Sequence, residues 1–259
     1  MVNKLKKFYV FLIFVFLYAP IVFLMVFSFN NSKLKTTWTG FTFKWYEELF
    51  KNEEILTAFT NTILVAVITT IIATILGTTA AIGIYYMKKW KKSLILNINY
   101  IPVLNPDIVT AVSLMVLYRL VNMENGFLTV VLSHIMFTTP YVVLSVLPKL
   151  KQMSRSLPEA AMDLGATPLY TFRKIIIPEI KPGIFSGMIL AFTLSLDDFV
   201  VSYFTTGNGF NTLSVTIFSM ARRGINPAIN ALSTLMFLAI LILLLVVYKT
   251  SKDPDELKR

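Results

Sequence analysis

The 259-residue chain is 56% apolar, 15% charged and has a mean hydropathy of +0.69. Soluble domains are typically about 25% charged, so a single soluble core is excluded and a chain embedded in lipid is indicated. The formal net charge is +10 and cysteine is absent, which removes disulfides, thiolate metal sites and cysteine nucleophiles.

A membrane-crossing helix needs roughly 20 apolar residues. Six stretches qualify: 8–29, 57–87, 94–121, 127–147, 183–204 and 228–248. The expected fold is an all-α integral membrane protein of six transmembrane helices, with no separate soluble domain. The first stretch follows three lysines and begins like a signal peptide. It is too long for one and no small-residue cleavage site follows, so it is expected to stay as the first span. The loop over 30–51 is rich in aromatics suited to a membrane interface, Trp38, Trp45 and Tyr46 among them. An amphipathic helix over 43–50 lying on the bilayer is one reading of it, and aromatics packed over span ends is the other.

The second stretch is longer than a bilayer is thick and must tilt or protrude. Its Gly77, Ala80, Ala81 and Gly83 allow close helix packing in lipid. Pro102 and Pro106 interrupt the third, because each proline removes a donor and clashes one turn back. Two readings stay open: Asn105–Asp107 lies near a pathway or at the inner mouth of the helix bundle, or a helix starts at Pro106 with Pro102 in a cytoplasmic lead-in. His134, the one histidine, reads as a helix–helix hydrogen-bonding group rather than a metal ligand.

Between the fourth and fifth stretches lies a polar, charged segment, EAAMDLGATPLYTFRKIIIP, from Glu159 to Pro178. Ser156-Leu157-Pro158-Glu159 fits a capping box. Gly165 suits a left-handed helix end, and Thr167-Pro168 a cap and a restart. A helix–turn–helix on the face of a membrane protein suggests a docking knob for a soluble partner. The fifth stretch then carries Ser195-Leu196-Asp197-Asp198. A carboxylate at mid-span costs about 2.5–3.5 kcal/mol on insertion scales, so such a pair needs a task. On a continuous helix Ser195, Asp198, Ser202 and Thr205 share one polar stripe. Asp198 is therefore expected to face a pathway, and Asp197 a neighbouring helix end or a partner subunit. Both acids capping a helix break is the bland alternative.

The basic residues are unevenly placed. Segments 4–7, 88–92, 149–181 and 249–259 fall on one side under the six-span scheme and hold 17 of the 24 Lys and Arg. That asymmetry makes both termini cytoplasmic. The charge is an orientation signal with a lipid-headgroup role, and needs no nucleic acid.

Glu159, Ala160, Ala161, Gly165 and the Ile177-Pro178 end resemble the "EAA" loop of permease subunits of ABC importers. Ser28-Phe29-Asn30, the WTGFTFKWY stretch from Trp38 to Tyr46, Pro106-Asp107-Ile108-Val109, Leu194–Asp198 and Asn230-Ala231-Leu232 extend the resemblance to the polyamine branch, nearly end to end. It implies a type I ABC importer permease fold: one domain over 1–259, a core over 57–248 and a coupling loop over 156–179. It implies spermidine or putrescine as substrate, with Asp198, Asp197, Ser195, Ser202, Tyr203 and Asp107 along the pathway. Glu159, Ala160, Ala161, Asp163, Gly165 and Ala166 would dock the ATPase. The implied partners are an ATPase homodimer, a second homologous permease, an extracellular or lipid-anchored polyamine-binding protein and the bilayer of a bacterial inner membrane. No catalytic residue, cofactor or metal is expected, and no phosphate-binding P-loop pattern occurs. An ABC permease for iron or an anion is the alternative, and an ion-coupled secondary transporter a weaker one. An intramembrane aspartyl protease fails because Gly-x-Gly-Asp is missing: Gly207-Asn208-Gly209 runs on to Phe210.

Overall fold

The computed structural model describes residues 2–32, 37–154, 156–223 and 227–251, so the charged tail beyond Ser251 lies outside the described residues. Two compact units emerge: Met1–Leu56 with Ile217–Arg259, and Thr57–Thr216.

In the first unit, α1 (Val2–Phe27) presents an apolar surface from Phe8 to Tyr18, all of them exposed. The chain then folds around Asn30. Trp45 Nε1 donates to the Asn30 carbonyl at 2.5 Å, and the Asn30 amide donates to Thr37 O at 2.8 Å. The short helix α2 (Lys44–Lys51) buries Trp45 and Leu49 in the protein. Phe29 stacks on Phe41, and Tyr46 packs against Phe29. The aromatics of this loop thus pack largely on one another and over the end of the first span.

The second unit carries α3 (Glu53–Tyr86), α4 (Lys89–Leu104), α5 (Asp107–Leu120), α6 (Phe127–Gln152), α7 (Ser156–Asp163), α8 (Pro168–Thr171), a π-helical turn (Phe172–Ile176), α9 (Ile177–Asp197) and α10 (Val200–Thr205). The helix α11 (Leu213–Arg223) follows, and α12 (Ala228–Ser251) ends the chain. At 34 residues α3 is about 51 Å long, well beyond a hydrocarbon core of about 30 Å.

The core forms around α6. Val142, Val143, Val146, Leu147 and Leu150 meet Ala73, Ala81 and Ile84 of α3 and Ile180 and Ala191 of α9. Glycines set the spacing. A Cβ on Gly77 would lie 2.6 Å from Val142 Cβ and 3.1 Å from Thr139 O, and one on Gly187 would lie 3.1 Å from Val142 Cα. In lipid, helix association rests on such close contact because the tails are as apolar as the side chains.

Two sequence expectations are corrected. Six spans are not found: among the described residues four helices are long and apolar enough to cross a membrane, or five if one bent pair counts as a span. The pair is α4 and α5, which meet at 102°. Asn105 stands before Pro106, so it is held extended (φ −73°, ψ 142°) and the helix must break there. The halves, 16 and 14 residues, are about 24 and 21 Å long and neither crosses alone. The apolar part of the last helix that is described, Ala228–Ala239, is also short of a span. The second correction concerns the predicted helix–turn–helix. Its second helix is no separate element, because α8, the π turn and α9 make one 30-residue span, Pro168–Asp197.

Gly77→Ala is expected to destabilise the protein by about 1–3 kcal/mol, since neither Val142 Cβ nor the α6 backbone can yield cheaply. Gly83→Ala, where nothing lies within 4 Å of the new methyl, should be neutral or slightly stabilising. Thermal unfolding of the two purified variants in detergent checks the contrast, and equal midpoints would contradict it.

Candidate functional site

The second unit holds two features that carry chemistry. One is a cavity of about 360 Å³ lined by Asp107, Asp197 and Asp198 together with Thr110, Phe137, Tyr141 and Phe199. Each acid stands at a helix break. Asp107 opens α5, where a carboxylate meets the positive end of the helix dipole. Asp197 closes α9, and Asp198 is extended (φ −61°, ψ 130°). The continuous stripe expected through 195, 198, 202 and 205 is therefore interrupted at Asp198.

That break is satisfied from within. The Asp198 carboxylate accepts from the backbone N–H of Val201 at 3.2 Å and of Ser202 at 2.7 Å, capping α10. His134, fully buried on α6, bridges both sides of it. Its Nδ1 pairs with Ser195 Oγ at 2.8 Å and its Nε2 with Ser202 Oγ at 3.1 Å. Nε2 also lies 3.4 Å from Asp198 Oδ2. The helix–helix bonding role read from the sequence is what the structure gives this histidine. Ser195 and Ser202 thus sit beneath the acids as its partners. Tyr203 packs on Phe199 at 5.6 Å between ring centroids, is 43% exposed and does not itself line the cavity. Asp197 has no comparable cap.

Phe137 and Tyr141 were not singled out in the sequence. They follow His134 on one face of α6, at i+3 and i+7, which is the periodic signal that would have found them. The rings of His134 and Phe137 are 5.1 Å apart.

The other feature is the turn after α7. Gly165 has φ +87°, the left-handed region that glycine enters freely. Its N–H donates to Met162 O at 2.9 Å, and the Ala166 N–H reaches back to Ala161 O at 3.0 Å. This pair of bonds is a Schellman ending, with Gly165 as its left-handed residue. Thr167 then caps the next helix, its hydroxyl accepting from Tyr170 N–H at 3.3 Å. At the start of α7 the helix begins at Ser156 itself, whose hydroxyl meets Ser154 Oγ at 2.7 Å. Glu159, Ala160, Asp163 and Gly165 are exposed, while Ala161 and Ala166 are half-buried. Leu164 projects with 89% of its surface free, and Leu169 and Tyr170 are exposed beside it. A second cavity, about 370 Å³, lies between this turn and the end of α3, lined by Tyr85, Met87, Met153, Glu159 and Met162.

Residues 73–251 match the family described as binding-protein-dependent transport system inner membrane component. The chain is 37% identical over 244 residues to the spermidine/putrescine transport system permease protein PotC of Escherichia coli K12, covering 94% of this chain and 92% of that one. It is 41% identical over 234 residues to the putrescine transport system permease protein PotI of the same strain, covering 88% and 83%. Among solved structures it resembles a bacterial ABC transporter involved in import of the acidic polysaccharide alginate, at TM-score 0.78 and 12% identity over 97% of this chain and 96% of that one. It also resembles the MetNI methionine ABC transporter, at TM-score 0.60 and 20% identity over 75% and 92%. At these identities the structural likeness establishes the fold.

His134→Ala would strand the Ser195 hydroxyl in a buried place and remove the tie that holds Ser202 and Asp198 to α6. The expected loss is about 1–3 kcal/mol of stability, with His134→Gln losing less because it keeps a donor and an acceptor. An unchanged unfolding midpoint for His134→Ala would show that the break holds without it.

Proposed function

We propose that this chain, which belongs to the family of binding-protein-dependent transport system inner membrane components, carries polyamines, spermidine or putrescine, through the membrane, as its likeness to PotC and PotI suggests. It is a multi-pass permease subunit of an ABC importer. The polyamine reading is supported by the names of PotC and PotI and, on this chain itself, by the acidic cavity. A polyamine is a string of ammonium groups on an apolar chain. Three carboxylates supply charge for the ammoniums, and Phe137, Tyr141 and Phe199 offer ring faces to cations and methylenes. Asp197 meets the substrate directly, while Asp198 both lines the path and holds the break. Ser195 and Ser202 act through His134.

The partners of this reading are an ATPase homodimer, a second homologous permease and a polyamine-binding protein outside, extracellular or lipid-anchored. The membrane is the bacterial inner membrane, with both termini cytoplasmic. The permease itself performs no covalent chemistry. The ATPase grips the turn at Gly165, with Glu159, Ala160, Ala161, Asp163 and Ala166 around it and Leu164 as the projecting apolar contact. ATP-driven closure moves that turn. Residues 168–197 run on as one helical rod of about 45 Å, so the displacement arrives at Asp197 and the cavity.

Two experiments test this. In membranes carrying the whole importer, Asp197→Asn should lower polyamine uptake at least about tenfold, equivalent to about 1.4 kcal/mol, with unfolding unchanged. Asp198→Asn should lower both uptake and the unfolding midpoint. Wild-type uptake by both variants would remove the acids from the path. Separately, Gly165→Val forces a β-branched residue into a left-handed conformation. It should break the coupling of ATP hydrolysis to transport, and Gly165→Asn should retain part of it because Asn tolerates that region. Intact coupling in Gly165→Val would place the docking contact elsewhere.

A further inference from the structure

The segment joining α3 to α4 belongs to neither the cavity nor the docking turn. It carries Lys88, Lys89, Lys91 and Lys92 around Trp90, directly after a membrane-crossing helix. Lys88, Lys89 and Lys91 are exposed, and among the described residues no carboxylate pairs with them. Lys92 folds back onto Tyr85, its ammonium 5.3 Å from the ring centroid and 3.5 Å from the Tyr85 carbonyl. The first turn of α4 contains no acidic residue, so this concentration of like charge is not offset within its own helix start.

Helical spacing places Trp90, Leu94, Ile98 and Ile101 on one stripe, at i, i+4, i+8 and i+11. All four are exposed, Trp90 at 64%. The opposite side of α4 is occupied: Ile95 and Leu96 pack on the α6 core, and Asn99 Nδ2 reaches Pro140 O at 3.5 Å. The free stripe is thus apolar along its length and ends in an indole beside ammonium groups. Lys91 Nζ stands 5.6 Å from the Trp90 ring centroid. Acyl chain, interface and headgroup zone are met in that order along one helix, since tryptophan prefers the interface and lysine the headgroup level.

We propose that Lys88, Lys89, Lys91 and Trp90 form a binding site for an anionic phospholipid headgroup, with the acyl chain along Leu94, Ile98 and Ile101. A zwitterionic lipid satisfies the indole and the stripe equally well but leaves the lysines uncompensated, so charge decides which lipid is retained. The site is independent of which solute the permease carries.

The test uses the full chain reconstituted in bilayers, with spin-labelled phosphatidylglycerol and phosphatidylcholine as probes. The wild type should retain phosphatidylglycerol about fivefold in preference, as about one lysine's worth of surface attraction gives. Raising salt from about 0.05 to about 0.5 M should collapse that preference through screening. The triple variant Lys88→Gln, Lys89→Gln, Lys91→Gln should bring it to about one. The corresponding triple Arg variant should keep it, and so should Lys149→Gln with Lys151→Gln. Equal retention of the two lipids by the wild type overturns the proposal, as does an equal loss in the Lys149 and Lys151 variant. Displacement by millimolar glycerol phosphate would make this a soluble-anion site and overturn the lipid assignment. If a lysine variant fails to fold, the wild-type salt series still tests the charge dependence, and a preference that survives about 0.5 M salt overturns the proposal.

Discussion

Lipid offers no hydrogen bonds, so every departure from helix within this chain has to be satisfied by the chain itself. Two departures matter. At Asn105-Pro106 the proline removes a donor, and Asp107 starts the next helix at once. At Asp198 the carboxylate bonds the N–H groups of Val201 and Ser202, and His134 ties the serines on both sides to α6. The cavity lies where these two breaks come together. A helix break is what allows a carboxylate to be both held and turned toward a space.

The breaks stay in register because the helices around them are closely packed. Gly77 and Gly187 bring α3 and α9 onto Val142 of α6, so the face that carries His134 further along the same helix is fixed by backbone-level contact. The turn at Gly165 leads directly into the rod that ends at Asp197, which is interrupted by the π turn at Phe172–Ile176. Pro178 follows directly and cannot donate to the carbonyl one turn back, which is where the regular ladder lapses. Some 30 residues of helix thus join the turn to Asp197 with no intervening loop.

Much of the turn was legible locally. Gly165 and Thr167-Pro168 are short-range signals, and the left-handed glycine and the threonine cap both stand where the spacing placed them. The capping box at Ser156 was less faithful, because the helix starts at that residue and its hydroxyl turns to Ser154. The count of spans failed for a physical reason. Hydropathy sums apolar residues along 94–121 and does not register that a proline folds the stretch through 102°. The polar stripe through Asp198 failed likewise, since helical periodicity presumes an unbroken helix. Nothing in the local sequence announces that Ser195 and Ser202 have a histidine 61 and 68 residues away as their common partner.

By itself the sequence determined that the chain lives in lipid, that it is helical, and that a capped glycine turn stands between two apolar runs. Each of these follows from composition, periodicity or dihedral preference, which act over a few residues. The tertiary structure alone decided that Asp107, the distant Asp197-Asp198 pair and the rings of Phe137 and Tyr141 share one cavity, and that His134 fixes the break between two of the helices around it. Those facts depend on how closely glycines let α3, α6 and α9 approach, and such distances arise only when the helices pack.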